Sequence, residues 1–304
     1  MVRSLVLEDI PATQQERLAY LELRVRFLGE CGRREILDRF SIQEAAATRD
    51  FAAYRALAPN NLDFEPSLKR YLPSVYFKPI FDISPERALS WLSQGFGDGI
   101  SVRHKGHVLS EPVPFISQPD LDVVAILSRA IYQRKAAKIR YCSLSSGYSN
   151  REVVPFALAN SGWRWHIRAF DRKNRQFRDF VLPRITSATL LDGAPAEDEL
   201  SDRDNQWNRI VDLELVPHPD NITFTDAIKL DLAMDNGVAQ VQIRAALAGY
   251  LLRLWNVDVS PDHSLRGYEY HLWLRNTPAL YGVQNLVLAP GYVVDSGKNE
   301  NADL

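Results

Sequence analysis

Arginine and histidine recur at two-residue spacing in the middle of this 304-residue sequence. In GWRWHIRAFDRKNRQFRDF, Gly162 to Phe180, strand alternation sends Trp163, Trp165, Ile167 and Ala169 to one face and Arg164, His166, Arg168 and Phe170 to the other. The first set reads as a hydrophobic wall, the second as a cationic rail. A strand from Lys138 to Leu144 puts Tyr141 and Ser143 on one side, and the stretch from Gln176 offers Arg178 and Arg184 in phase with each other. Gathered on a closed or nearly closed sheet, these groups suit one phosphate: guanidinium forks donate in pairs, and His166 adds a donor that responds to pH. The competing reading pairs the arginines with Asp171 and Asp179 at the surface. Two acids are too few for so many cations.

Catalytic chemistry finds no comparable support. There is no Gly-rich phosphate loop of the G-x-x-x-x-G-K-[ST] kind, and GFGDG at 95–99 lacks the spacing and strand-to-helix setting of a dinucleotide loop. His104 and His107 form H-x-x-H with no acid or cysteine at hand to complete a metal set, so they read as surface or wing-like loop residues. No nucleophile elbow or Cys–His pair is suggested. The expectation is a non-enzyme with no catalytic residues, no metal and no cofactor.

A second group of residues suits DNA. In a helix-turn-helix the second helix enters the major groove and its early side chains reach base edges. A recognition helix starting near Gln43 turns Ala47, Phe51, Tyr54 and Leu57 inward and leaves Gln43, Thr48, Arg49 and Arg55 outward for bases or phosphates. Lys69 and Arg70 fall on the wing that follows, where backbone contact is expected.

The elements that must position these groups follow from periodicity. Residues 13–29 carry Leu18, Leu21, Val25 and Leu28 at helical spacing, RREILDRF is a short helix, and SIQEAAATRDFAAYRALAP is an alanine-rich one stopped by Pro59. LDFEPSLKRYLPSVYFKP reads as two short strands turning at Pro66 and Ser67, which completes a winged helix-turn-helix over residues 1–82. A helix from Ser84 to Phe96 and a Gly- and Pro-rich stretch form a linker, 83–119. A helix over 121–135 and four strands (AKIRYCSL, REVVPFAL, WRWHIRAFD and QFRDFVLPRI) predict a small barrel domain, 120–195. Residues 196–304 begin with an acidic linker or exposed helix and continue as a small α/β domain, ending in a tail expected to be disordered.

Charge follows the same divisions. Residues 1–80 hold 12 basic and 11 acidic groups, residues 81–191 hold 16 and 9, and residues 192–304 hold 8 and 18, for net charges of +1, +7 and -10. The basic middle attracts phosphate and the acidic end repels it. No run approaches the roughly 18 apolar residues of a membrane helix. With no apolar leader and only Cys31 and Cys142, both read as small buried hydrophobes, a reduced cytoplasmic setting is expected.

The stretch from Arg129 to Ile185, with Trp165-His166-Ile167 where a Trp-Tyr-Leu triplet is usual, resembles a WYL domain, an Sm-like small β-barrel of bacterial transcriptional regulators. With ATRDFAAYRALAPNNLDFEPSLKRYLPSVYFKP upstream, where Ala46 replaces the family's usual Gln, the chain is similar to the BrxR/CapW-like repressors of BREX- and CBASS-type anti-phage defence islands. The resemblance covers nearly the whole chain. It implies a homodimer bound to a palindromic double-stranded operator, dimerised through the C-terminal extension. It also implies a pocket for a nucleic-acid fragment or nucleotide at Tyr141, Ser143, His166, Arg168 and Arg178, with Arg151 and Arg184 added. Two other readings stand beside this one: a WYL activator that answers DNA damage, and a non-catalytic subunit that holds single strands on Trp163 or Trp165 if these are exposed.

Overall fold

The computed structural model describes Leu7, residues 10–95 and residues 116–293. His104, His107 and the tail from Ser296 lie outside the described residues. The chain forms two compact units, one of residues 1–140 with 185–194 and the other of residues 141–184 with 195–304. The first boundary falls inside the expected middle domain rather than at its ends.

In the first unit, helix α1 (Ala12–Leu23) buries Leu18 and Leu21 completely and runs into a π-helical turn, Arg24–Leu28, that Gly29 ends at φ +84°. Helix α2 (Arg33–Phe40) is capped by Glu35, whose carboxylate accepts from the Gly32 N–H at 3.0 Å. Ser41 closes α2 in the left-handed conformation, and α3 (Glu44–Leu57) starts directly after Gln43. Strands β1 (Leu62–Glu65) and β2 (Arg70–Pro73) pair antiparallel as the wing. Phe51 of α3 stacks on Tyr71 with ring centroids 4.4 Å apart, so the wing is packed against the helix it flanks.

A buried polar knot holds this domain. Tyr54 donates to the fully buried Glu22 at 2.6 Å, and Glu22 also accepts the N–H groups of Ile80 and Phe81. Burial raises the Glu22 carboxyl above its ordinary value against the pull of these donors. Helix α4 (Pro85–Gln94) follows its Ser84 cap, and α5 (Leu121–Tyr132) starts at Asp120, which accepts from the Asp122 N–H at 2.7 Å. Helix α5 closes over the π-helical turn. Ser128 donates to the Phe27 carbonyl at 2.7 Å, Arg129 to that of Arg26 at 2.6 Å, and Gln133 to that of Leu28 at 3.3 Å. These are carbonyls of the kind a helix end leaves open.

Strand β3 (Ala137–Ser143) crosses from the first unit into the second. In the second unit β4 (Gly147–Asn160), β5 (Trp165–Asp171) and β6 (Gln176–Val181) form an antiparallel meander, with Ala159 opposite His166 and Arg168 opposite Asp179. A bulge between Pro155 and Ala157 shifts the register. Strand β7 (Ile185–Leu190), which follows the four expected strands, belongs to the first unit. The expected closed barrel is not seen: β6 is an edge strand among the described residues, and closure leaves no edges.

The acidic stretch after Pro195, expected as a linker or exposed helix, is ordered into short turns and one short helix. It folds into single 3₁₀ turns and α6 (Asn205–Asn208), with Glu199 and Asp204 buried. Strand β8 (Ile210–Pro217), helix α7 (Thr225–Asp231), strand β9 (Ala239–Arg244), helix α8 (Ala245–Leu254) and strands β10 (Val257–Asp258) and β11 (Leu272–Leu274) complete a sheet ordered β10-β11-β8-β9. Its core gathers Val211, Leu213 and Leu215 of β8 against Ala248 and Leu252 of α8. Gly249 permits the close seat of α8: a Cβ there would stand 2.2 Å from the Asn285 carbonyl oxygen.

Candidate functional site

The cationic rail of β5 exists, but most of it is covered. Every residue from His166 to Asp171 is buried, so neither face of the strand is open as alternation suggested. Arg168 is 5% exposed and holds Asp204 with two bonds of 2.8 and 3.1 Å, and Asp179 with a third at 3.3 Å. Tyr250 of α8 donates to the other Asp179 oxygen at 3.1 Å. Burial alone would weaken the Arg168 cation, but the two carboxylates hold it above its ordinary value. Arg168 is therefore a structural cation here and not an open ligand donor.

Other expected pocket residues also have partners within the fold. Arg151 is buried against Asp171 at 2.7 Å, and Arg178 stands 4.0 Å from the same carboxylate. Ser143 takes the N–H groups of Ser145 and Ser146 and so fixes the turn into β4. Asp171 and Asp179 do pair with arginines, as the competing reading had it, but inside the fold. The counter-ions missing from that reading come from the acidic stretch: Asp204 for Arg168, and Glu199 for Arg172 at 2.7 Å.

A smaller group is left without acids. His166 is 1% exposed, its ring 4.8 Å from that of Tyr250, and neither ring nitrogen has a hydrogen-bond partner among the described residues. The Tyr141 hydroxyl, packed edge-on to Phe180, is likewise buried and unpartnered. Burial first, then the charges of Arg164 and Arg184, push His166 down to about 3, with only a weak opposing pull from the Ala159 backbone. At neutral pH it is an uncharged imidazole facing two guanidiniums. Burial and the nearby Arg184 and Arg253 charges likewise lower Arg164. Neither Arg164 nor Arg184 is ion-paired to a carboxylate among the described residues, as a site for an added anion requires.

The turn before β5 sets this group. Ser161 accepts and donates across the turn to Arg164, and Gly162, at φ +83°, leaves no room for a side chain because Leu254 lies against it. Trp163, assigned to the wall, sits in this turn instead and is 50% exposed, with the Arg253 guanidinium 4.5 Å from its ring centre. Trp165 is half-buried. A cleft here is lined by Ser161, Trp163, Arg164, Tyr250, Arg253 and Leu254. Of the expected pocket, Tyr141, His166 and Arg184 come together. Arg164 lay on the rail but was not chosen, and Tyr250 and Arg253 had no local signal beyond their i, i+3 spacing on α8.

On the first unit, Ala47, Phe51 and Tyr54 are buried and Leu57 is half-buried, while Gln43, Thr48, Arg49 and Arg55 are exposed along the outer side of α3. Lys69 is exposed at the wing tip with φ +53°. Arg70 is engaged elsewhere, 2.9 Å from Glu30 and 2.7 Å from Glu35. Cys31 is buried, its thiol pushed up to about 12 chiefly by that burial, whereas Cys142 is only half-buried. No group of three His, Cys, Asp or Glu residues stands ready for a metal among the described residues, and none of their helices is long and apolar enough to cross a membrane.

Three family models match the chain. Residues 13–94 match the BrxR transcriptional regulator winged helix-turn-helix domain, residues 122–190 the WYL domain, and residues 210–280 the BrxR transcriptional regulator C-terminal dimerization domain. A protein named DNA-binding transcriptional repressor CapW from Escherichia coli (strain KTE188) is 30% identical over 282 residues, covering 89% of this chain and 91% of its own. Proteins of that name from Pseudomonas aeruginosa (31% identical; 81% of this chain, 83% of its own) and Stenotrophomonas maltophilia (30%; 81% and 84%) are similar to it as well.

Proposed function

This chain belongs to the family of CapW and BrxR transcriptional regulators, and on that premise we propose that it is a homodimeric repressor of a phage-defence operon. Two protomers present their α3 helices to successive major grooves of a palindromic operator, roughly 34 Å apart. The observation that carries this reading is the outer side of α3: Gln43 at its cap and Thr48, Arg49 and Arg55 along it stand exposed, while Ala47, Phe51 and Tyr54 are buried beneath. Lys69 adds a phosphate contact from the wing.

The second unit senses a phosphate-bearing effector, a nucleotide or nucleic-acid fragment. Arg164, Arg184 and Arg253 supply charge, His166 and Tyr141 supply neutral polar atoms, and Trp163 offers a face for a base. Binding there releases the operator only if the effector prefers the released arrangement of the dimer.

Gel-shift titration against the DNA upstream of the operon that encodes it tests the first half. We expect nanomolar binding at moderate salt that Arg49→Ala weakens at least tenfold. No binding beyond that to unrelated DNA sinks the repressor reading. A reporter under that operon's promoter separates repressor from activator by the sign of the change on deletion.

A further inference from the structure

Helix α3 and the wing of the first unit are joined by contacts of two kinds. Phe51 of α3 stacks on Tyr71 of β2, which sets their spacing but lets the two faces slide. Tyr54, three residues further on, makes the directional contact. Its hydroxyl donates to Glu22 of α1 at 2.6 Å and accepts from the Asn61 side-chain amide at 3.1 Å. Asn61, between α3 and β1, also donates to the Lys78 carbonyl at 2.6 Å and accepts the Lys78 N–H at 3.0 Å. Its own carbonyl takes the Ser74 N–H at 3.0 Å. Glu22 closes the circuit by accepting the N–H groups of Ile80 at 2.9 Å and Phe81 at 3.1 Å. One chain of bonds thus runs from α1 through α3 to the segments on either side of the wing.

We infer that Glu22 and Tyr54 are positioning residues for operator reading: buried beneath α3, they set its angle against the wing. The inference rests on the DNA-binding reading above and adds which buried groups give that reading its sequence discrimination. The hydrogens of the network run one way. Asn61 already donates to the Tyr54 oxygen, so the Tyr54 hydrogen is turned to Glu22, and both Glu22 oxygens are taken by donors. Bonds of this kind fix orientation, because they weaken steeply off line. Stability is a poor account of the same arrangement. Glu22 is fully buried and has no ion pair among the described residues, and burial holds its carboxyl above the ordinary value. A buried charge is costly beside an apolar side chain of similar shape.

Nor does α3 need Glu22 to stay on α1. Asp50, one turn before Tyr54 and 1% exposed, is bonded to Arg17 at 2.6 Å and to Gln14 at 2.9 Å, both on α1. Asp50 therefore holds the two helices together, and Tyr54 with Asn61 carries the hold onward to the wing. A base contact demands aligned donors, whereas attraction to phosphates tolerates a tilted helix. Loosening the network should lower affinity for the operator and leave affinity for unrelated DNA where it was.

The test is anisotropy titration of the full-length protein with the DNA upstream of its operon and with an unrelated duplex of equal length, beside urea unfolding. Tyr54→Phe keeps the ring and leaves Glu22 and Asn61 their other partners. It should lower the ratio of operator to unrelated affinity by roughly tenfold or more, with unrelated DNA bound within about twofold of wild type. Glu22→Gln matches the shape but turns an N–H toward a donor, so it should do the same, and it decides the matter if Tyr54→Phe does not fold. Ile36→Val, fully buried on α2 and outside the network, should lower the unfolding midpoint and leave the ratio unchanged. If Tyr54→Phe and Glu22→Gln keep the wild-type ratio, or weaken both DNAs equally, the inference is overturned and the DNA-binding reading survives. A wild type with no preference for its upstream DNA removes the repressor reading and this inference with it.

Discussion

Arg168 and Arg164 lie four residues apart on the same rail, and their surroundings differ in a way that one experiment separates. Removing Arg168 strands Asp204 and Asp179 inside the protein, where neither can regain water. Deleting one partner of a buried ion pair costs about 3–5 kcal/mol. With a urea slope of about 2 kcal/mol per molar, Arg168→Ala should lower the midpoint of the second unit by about 2 M, read from tryptophan fluorescence. Arg164→Ala removes a half-buried cation with no carboxylate partner and should change stability by less than about 0.5 kcal/mol. It should instead abolish any thermal stabilisation by nucleotides or short oligonucleotides. Arg168→Met with Asp204→Asn, which keeps an acceptor for the α6 N-terminus, should recover at least half of the loss, because no uncompensated pair of charges remains. Equal stability losses at the two arginines, or a neutral Arg168→Ala, would refute the assignment.

Further outcomes follow from the same geometry. His166 stays neutral in the folded chain down to about pH 3, against 6.5 for the free side chain. The unfolded chain therefore binds more protons between those values, and stability falls as pH drops through that window. Wild type should lose about 2–3 kcal/mol more than His166→Phe between pH 7 and pH 4.5, and parallel urea-midpoint curves would contradict this. For operator DNA, each of Arg49→Ala and Arg55→Ala should flatten the slope of log affinity against log salt by about 2, since a dimer loses two phosphate contacts at about 0.9 each. An unchanged slope removes that arginine from the backbone. Gly249→Ala should lower the melting temperature by several degrees, because α8 must move off Asn285, and calorimetry reads this directly.

Much of the architecture was legible because apolar spacing and punctuation agreed. Leu18 and Leu21 marked α1, Gln43 and Pro59 bracketed α3, and the outward row of α3 followed from its period alone. The site was legible only in direction. Alternation rightly put Arg164, His166 and Arg168 on one face, but it cannot say what covers that face. Here α8 and the acidic turns do so, through Tyr250 and Asp204 from distant sequence. Weighing only Asp171 and Asp179 against the arginines missed counter-ions supplied from beyond residue 195. Strand β7 escaped because Pro183 and the turn at Arg184 lie between it and β6, and a two-residue β10 offers no period to read.

The three side chains by which α5 holds the end of the π-helical turn bear on how the operator would be let go. A DNA-binding module on a slack tether responds to effective concentration, and lengthening its tether weakens it gradually. Ser128, Arg129 and Gln133 instead clamp the helix that begins the WYL segment onto the body that carries α3. On the proposed reading, a displacement delivered to α5 would reach α3 through this clamped turn as a change of angle. Release from DNA would then be a matter of misalignment by a rigid arm. Residues inserted between α4 and α5 should leave both repression and its relief close to wild type, whereas Ser128→Ala with Gln133→Ala should loosen the link between them.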